Sequence, residues 1–392
     1  MNDPAPALTD ATAVAAAKQQ AWAAIDERRD LLLDVSHRIW DQPELAFEEH
    51  AAHDLLCDVL DGAGLSPTRH AYGLDTAFAA EAGTSGPLVG VLCEYDALPG
   101  IGHACGHNVI AAAGIGAGIV AASLAESLGG RVRILGTPAE EGGGGKVHMM
   151  REGALDGLDA AMMIHGADHD LPTITAIAIQ QLFVDFQGKA AHAAAAPERG
   201  LNALDAAVLG YVNVAALRQH IRTDERIHGV FTDGGDKPNI VPAHAGMHWY
   251  IRSATLDSLE VLKARVLSCL EAGAQAAGCT MEHRWHDPAY ADLLDDQWLL
   301  QRYADNAAAL GRTLQNPDEV GAVVGSTDMG NVSHEVPSIH PMIAVAPPGT
   351  AIHTLDFAEH ARGEGGDRAV LDGAKALVAT VIDRWAAGSD PR

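Results

Sequence analysis

The chain has 392 residues, 48% of them hydrophobic, and its 52 acidic against 26 basic side chains give a formal net charge of -26. That length exceeds what one hydrophobic core usually organises, so two domains are expected. The charge repels phosphate backbones and acidic membrane surfaces, which argues against nucleic acid or a membrane as partner.

The five cysteines, Cys57, Cys93, Cys105, Cys269 and Cys279, are an odd number without CxxC spacing. Reduced thiols in a cytoplasm follow. The opening Met1-Asn2-Asp3-Pro4 has no basic segment leading into an apolar stretch, so no signal peptide is expected.

From Ala11 to Gly62 the pattern is helical, broken near Gln42-Pro43-Glu44 where proline stops a helix. Pro87 to Cys93 is a short apolar run of the kind buried on both faces of a parallel sheet. It leads to Asp96 and then to His103, Cys105 and His107, whose alternation would point all three side chains one way in an extended segment. Asn108 is positioned to cap an alanine-rich helix that closes at Gly129-Gly130. The uncharged run Val109 to Ala125 within it is short for a membrane span and reads as a tightly packed core helix.

Arg131 to Leu135 is the next strand, entering Thr137-Pro138-Ala139-Glu140-Glu141 and four glycines. Ala160 to Ile164 delivers His165, and Met342 to Ala346 runs through Pro347-Pro348-Gly349 toward His353. Strands alternating with helices imply an α/β domain with a mostly parallel sheet. Side chains beyond the carboxyl ends of such strands gather in one crevice.

Between Leu182 and His286 the texture changes. Half-exposed strands at 181–186, 230–232 and 247–252 flank helices at 200–220 and 256–278, a β-α-β-β-α-β order. This fits a smaller, two-layer, ferredoxin-like α+β domain at 182–286 inserted into an α/β domain of residues 1–181 and 287–392.

A thiolate and an imidazole separated by one glycine, as at Cys105 and His107, can reach one ion or a pair of ions. The same residues also allow a buried polar loop without ligand, or a cysteine nucleophile with a histidine base. In the adjacent Glu140 and Glu141, one carboxylate can bind metal while the other takes a proton from activated water. Glu141 to Lys146 suggests a phosphate loop, but Glu140 stands where glycine is needed and Val147 where Ser or Thr is needed. Cys105, His107, Glu141, His165 and His353 supply five candidate ligands, which a bridging thiolate and a bridging water would extend over two ions. A mixed S/N/O set suits zinc first, with manganese or cobalt as alternatives. In the inserted domain, His192 could stabilise an oxyanion, while Asn239 and Arg252 could hold a substrate carboxylate.

Together these segments resemble the M20 family of metallopeptidases and amidohydrolases, in the branch of aminoacylase-like, hippurate and auxin-conjugate amidohydrolases. Glu94-Tyr95-Asp96-Ala97-Leu98-Pro99 and Gly325-Ser326-Thr327-Asp328-Met329-Gly330-Asn331 are similar to the subgroup of p-aminobenzoyl-glutamate hydrolases and Xaa-Arg dipeptidases, and Trp40-Asp41-Gln42-Pro43-Glu44-Leu45 adds to the likeness. The resemblance implies two divalent ions bridged by Cys105, with His107, Glu141, His165 and His353 completing the ligands. It implies Glu140 as general base and later proton donor, and Asp96 as the carboxylate orienting a ligand. His192 and Asn239 match residues of a lid domain, Arg252 more loosely. Asn108 departs from the aspartate common at that position. A homodimer through the inserted domain, and hydrolysis of an N-acyl amino acid or dipeptide with a free carboxylate, are further implications. A cysteine hydrolase built on Cys105 and His107, or a non-catalytic binder of amino-acid conjugates, are the competing readings.

Overall fold

The computed structural model describes residues 10–320 and 324–388, so the Met1 to Pro4 segment lies outside the described residues. The chain forms two units, one running up to Thr175 and resuming at Leu293, the other spanning Ala176–Asp292. The expected borders at 181/182 and 286/287 fall too far inside the insertion. The reason is a pairing that local pattern does not show: Ile179 bridges Tyr290, so both flanks belong to the inserted unit.

The first unit is built on a six-stranded sheet. Its order across the sheet is Thr68–Arg69, Phe78–Ala82, Arg131–Gly136, Leu88–Cys93, Ala160–Met162 and Ser338–Ile339. The last four strands run parallel, with Val89 opposite both Val132 and Ala160, while the two strands on the other side pair antiparallel. All six residues of Leu88–Cys93 are buried, as its unbroken apolar run requires of a central parallel strand. A further parallel pair joins Met342–Ala344 to His165–Ala167, with Met342 opposite His165.

The alanine-rich helix spans His107–Leu128 and ends on Gly129 at φ 67°, the left-handed cap expected there. Among the described residues it is the one helix long and apolar enough to cross a membrane, and 89% of its apolar window is buried inside the protein. It packs against both the sheet and the C-terminal helix Glu364–Ala386. Its glycines set that approach, because a Cβ on Gly114 would meet Cys93 Sγ at 2.7 Å and Leu92 O at 2.9 Å. Asn108 is not its cap. Gly106 holds that position at φ 75°, and the Asn108 amide instead donates to Ser36 Oγ and Ala361 O.

The inserted unit is a four-stranded antiparallel sheet in the order Thr280–Trp285, Ala178–Gln187, His244–Ser253, Arg226–Asp233. Burial alternates along Ala178–Gln187, and Leu182, Val184 and Phe186 pack with Trp249, Ile251, Leu262, Val266 and Leu270 under the helices Ala203–Leu217 and Leu256–Ala277. Both helices start on side-chain caps, Asn202 accepting from Leu204 and Asp205, and Thr255 closing a capping box with Ser258. This is the ferredoxin-like arrangement that the alternating pattern implied.

Candidate metal centre and catalytic site

The parallel strands of the first unit end on the same edge, and each delivers chemistry there. Leu88–Cys93 leads into Glu94 and Asp96, Arg131–Gly136 into Glu140 and Glu141, Ala160–Met162 into His165, and Ser338–Ile339 into His340. Thr137 ties two of these ends together, its N–H and hydroxyl both donating to Cys93 O at 2.8 and 3.0 Å.

Candidate donor atoms converge in three overlapping groups, each with all atoms within 4.8 Å of one another: Cys105, His107 and His165; Cys105, Glu141 and His353; and His107, Glu140 and Glu141. Cys105 belongs to two of these groups, the placement a bridging thiolate needs. The expected strand-like alternation is absent. Gly106 turns the backbone, His107 opens a helix, and His103 points elsewhere, donating from Nε2 to Ile39 O at 3.0 Å. Burial presses the His103 pKa down to about 3, so it is a neutral core residue.

The imidazoles are oriented by oxygen acceptors. His107 Nδ1 lies 2.8 Å from Asp96 O and 3.1 Å from Asp96 Oδ1, and since a carbonyl can only accept, the proton sits on Nδ1 and Nε2 is left for a ligand. His165 Nδ1 likewise donates to Gly166 O at 2.8 Å. Burial lowers the His165 pKa to about 4, which keeps that ring neutral. The other oxygen of Asp96 accepts the Glu141 N–H at 3.0 Å, so one carboxylate fixes a histidine and the loop bearing both glutamates. His353 Nε2 stands 3.6 Å from Glu141 Oε1.

Two strained residues border this cluster. Ala139, directly before Glu140, has φ 61°, and His353 has φ 63°, a region that residues with a Cβ rarely enter. Glu49 holds the first, its fully buried carboxylate accepting the Ala139 N–H and the Thr76 hydroxyl, each at 2.9 Å. Burial, helped by the charge of Asp96, lifts the Glu49 pKa to about 7. Glu140 is raised well above the usual carboxylate range, by burial first and then by the charges of Glu94, Glu141 and Asp328.

The residues fit divalent ions. His107 Nε2 and Glu141 Oε1 are buried without a hydrogen-bond partner, and sulfur, nitrogen and oxygen donors share one small volume. Burial and the Glu141 carboxylate hold the Cys105 thiol well above its ordinary pKa, a penalty that a bound cation offsets.

The sequence pattern alone did not single out a second layer beneath these donors. Lys146, fully buried, donates to Glu94 and, at 2.6 Å, to Asp328 Oδ1, while its backbone N–H reaches Asp328 Oδ2 at 3.0 Å. His340 is buried with neither ring nitrogen hydrogen-bonded, its centroid 5.4 Å from that of His165. The available signals were the position of Glu94 beside Asp96, Lys146 at the end of the rejected phosphate loop, and His340 just past a strand.

Within the inserted unit, His192 and Asn239 are neighbours: His192 bridges Ile240, Ala193 N–H donates to Asn239 O at 3.0 Å, and His192 Nδ1 accepts from Ala194 and Ala195. Arg252 is not with them. It sits near the far end of strand His244–Ser253, about 26 Å along the strand from His244 at roughly 3.3 Å per residue, with its guanidinium 6.0 Å from the Tyr250 ring centre.

Clustered S, N and O donors at the carboxyl edge of a parallel sheet, with the buried Glu140 carboxyl among them, define a metal-dependent hydrolase. Residues 90–383 match peptidase family M20/M25/M40, and the chain belongs to that family. It is 38% identical over 394 residues to the Xaa-Arg dipeptidase of Mus musculus, covering 96% of this chain and 91% of the relative. The Xaa-Arg dipeptidase of Homo sapiens is 39% identical, with 92% and 86% covered. A p-aminobenzoyl-glutamate hydrolase polypeptide of Escherichia coli is 30% identical, with 92% and 90% covered. The fold matches a dinuclear metal-binding M20 peptidase of Bacillus subtilis with TM-score 0.71 at 19% identity, covering 92% of this chain and 99% of the other. An aminobenzoyl-glutamate utilization protein of Klebsiella pneumoniae matches with TM-score 0.74 at 19% identity, covering 92% and 98%.

Proposed function

We propose that the chain hydrolyses the amide bond of a dipeptide or N-acyl amino acid with a free carboxylate, using two divalent ions and Glu140 as general base. The observation that carries this is the convergence of Cys105, His107, Glu141, His165 and His353 around the buried Glu140. In this reading Cys105, His107 and His165 hold one ion, and Cys105, Glu141 and His353 the other. When bound, the ions supply Lewis acidity toward the scissile carbonyl and toward water. Glu140 accepts a proton from the attacking water and returns it to the leaving amine. Asp96 keeps His107 in the tautomer that offers Nε2 and keeps the glutamate loop in register with it.

Zinc suits this donor set, and manganese or cobalt can occupy it. Dipeptides of the Xaa-Arg type are the first substrates to assay, since the two relatives of higher identity carry that name and a net charge of -26 favours the approach of a cationic residue. Acyl-glutamates follow from the p-aminobenzoyl-glutamate relative. His192 as oxyanion donor and Asn239 at the substrate carboxylate complete the proposal, while Arg252, near the far end of its strand, stands outside that group. Their support is the match to lid residues of the family.

A homodimer through the inserted unit is supported by exposed apolar residues. Val208, Leu209 and Val212 on one helix lie near Phe231, which stacks on Tyr211 of that helix. Phe231 and Val230 belong to Arg226–Asp233, an edge strand whose outer side is open to pairing. All five cysteines are free, which supports a reducing cytoplasm.

Chelation followed by metal restoration tests the mechanism. Amidase activity should vanish on metal removal and return with zinc, manganese or cobalt. Activity that survives chelation but is lost on thiol alkylation would identify Cys105 as a nucleophile instead. Binding of dipeptides without turnover by the fully loaded protein would establish the non-catalytic alternative.

A further inference from the structure

The stretch from Gln42 to Glu49 lies between two helices, Arg29–Asp41 and His50–Gly62, and spends its carboxylates in an unexpected way. Glu49 sits at the N-cap position of the second helix, where a side-chain oxygen ordinarily accepts an N–H of the first turn. It makes no such bond. The Glu44 carboxylate takes those donors instead, accepting from Ala51 at 3.0 Å and Ala52 at 2.9 Å. Glu49 turns inward and reaches across 90 residues of sequence to accept the Ala139 N–H, while its other oxygen takes the Thr76 hydroxyl. Thr76 is fixed in turn, since its carbonyl accepts the Tyr95 hydroxyl. Ala139, Glu49, Thr76 and Tyr95 are each at most 1% exposed, so this chain of bonds is shielded from water.

Phe47 adds a second contact. A Cβ placed on Gly143 would meet Phe47 Cε2 at 2.6 Å and Ala139 Cβ at 2.7 Å, so the ring closes against the glycine-rich loop where that loop folds back on Ala139. Within the fold the Gly143 N–H donates to Ala139 O at 3.1 Å. The same stretch also reaches the segment bearing Asp96, because Glu44 O accepts the Ala97 N–H at 2.8 Å. What these contacts secure is the φ of 61° at Ala139, a conformation that is costly for a residue with a Cβ and persists only where its surroundings impose it. Ala139 directly precedes Glu140, so its backbone angles set where the Glu140 carboxyl points. We propose that Glu49 is the positioning residue for the general base: its hydrogen bond to Ala139 aims Glu140, and turnover depends on that bond although Glu49 belongs to none of the donor groups.

This inference rests on Glu140 as the base, and the test separates the two. Steady-state kinetics on an Xaa-Arg dipeptide, or on an acyl-glutamate if that is the faster substrate, are combined with elemental analysis. The zinc-loaded proteins compared are wild type, Glu140→Gln, Glu49→Gln, Glu49→Leu, and Glu49→Leu combined with Ala139→Gly. Leucine fills the space without an acceptor and should lower kcat by about 10- to 100-fold, the loss expected from a small misplacement of a catalytic group, with KM and metal content unchanged. Glutamine keeps the acceptor and should retain turnover. Glycine enters the left-handed region without a Cβ penalty, so Ala139→Gly should restore most of the kcat lost in Glu49→Leu. A wild-type kcat in Glu49→Leu, or a loss that Ala139→Gly leaves untouched, would overturn the proposal. Full turnover in Glu140→Gln would instead remove the base, and the positioning role with it. Should Glu49→Leu not fold, Thr76→Val decides: it deprives one Glu49 oxygen of its partner, and kcat should fall about 2- to 10-fold, the worth of one hydrogen bond, whereas an unchanged kcat overturns the assignment.

Discussion

Replacing Glu49 by glutamine isolates the group that holds the catalytic loop in its strained conformation. The Glu49 pKa rises from 4.5 to about 7 on folding. A raised folded-state pKa means that folding takes up a proton, so this contribution to stability is complete below pH 4.5 and is lost as pH climbs through about 7. The shift corresponds to about 3 kcal/mol, at 1.36 kcal/mol per unit. Glutamine keeps the shape and an oxygen acceptor for the Ala139 N–H, but it is neutral at every pH. The advantage of wild type over Glu49→Gln should therefore shrink, or turn into a deficit, by about 3 kcal/mol between acid and mildly alkaline pH. Urea midpoints of both metal-free proteins across this range measure the difference, and the many carboxylates common to both chains cancel. Parallel stability curves, or a wild type that gains on the variant as pH rises, would refute the reasoning.

The adjacent glutamates should separate cleanly: Glu140→Gln keeps its metal and loses about 10²- to 10⁴-fold in kcat, whereas Glu141→Gln loses metal affinity first, as elemental analysis would show. His192→Ala should leave metal content unchanged and lower kcat by about 10²- to 10³-fold, as removal of one oxyanion donor does. Asn239→Ala should chiefly raise KM, with a defect that shrinks when the substrate carboxylate is replaced by an amide, whereas Arg252→Ala should affect acid and amide substrates alike. Val212 is 56% exposed on the apolar helix face, and Val212→Asp should shift sedimentation toward monomer without altering metal content.

Features governed by local pattern were legible in the chain. An unbroken apolar run became the central strand, alternation became the half-exposed sheet of the insertion, and the residues just past strand ends became the cluster around Cys105. Long-range satisfaction was not legible. Asn108 looks like a helix cap until its amide is seen to bond Ser36 and Ala361, which are distant in sequence. His103 shares the spacing of Cys105 and His107, yet a left-handed Gly106 breaks the extended geometry that would have aligned the three. Lys146 gains its meaning from Asp328, 182 residues further on, and Glu94 gains its meaning from Lys146. Arg252 shows the converse: a charge at a strand end matches a carboxylate grip on pattern alone, although the same strand carries it away from His192 and Asn239.

The glycine-lined helix that begins at His107 has a consequence for how the centre behaves when emptied. At Gly114 its backbone is pressed directly against the strand Leu88–Cys93, which leads into Glu94, and the fit leaves no room there for a Cβ. A zinc finger collapses without its ion because the metal supplies its folding energy. Here the helix is held to the strand by direct packing, Gly114 lying against Cys93 and Leu92, so this contact does not depend on an ion. Stripping the ions should then be a reversible depletion rather than an unfolding event, and reloading should proceed at the pace of ion encounter and ligand deprotonation.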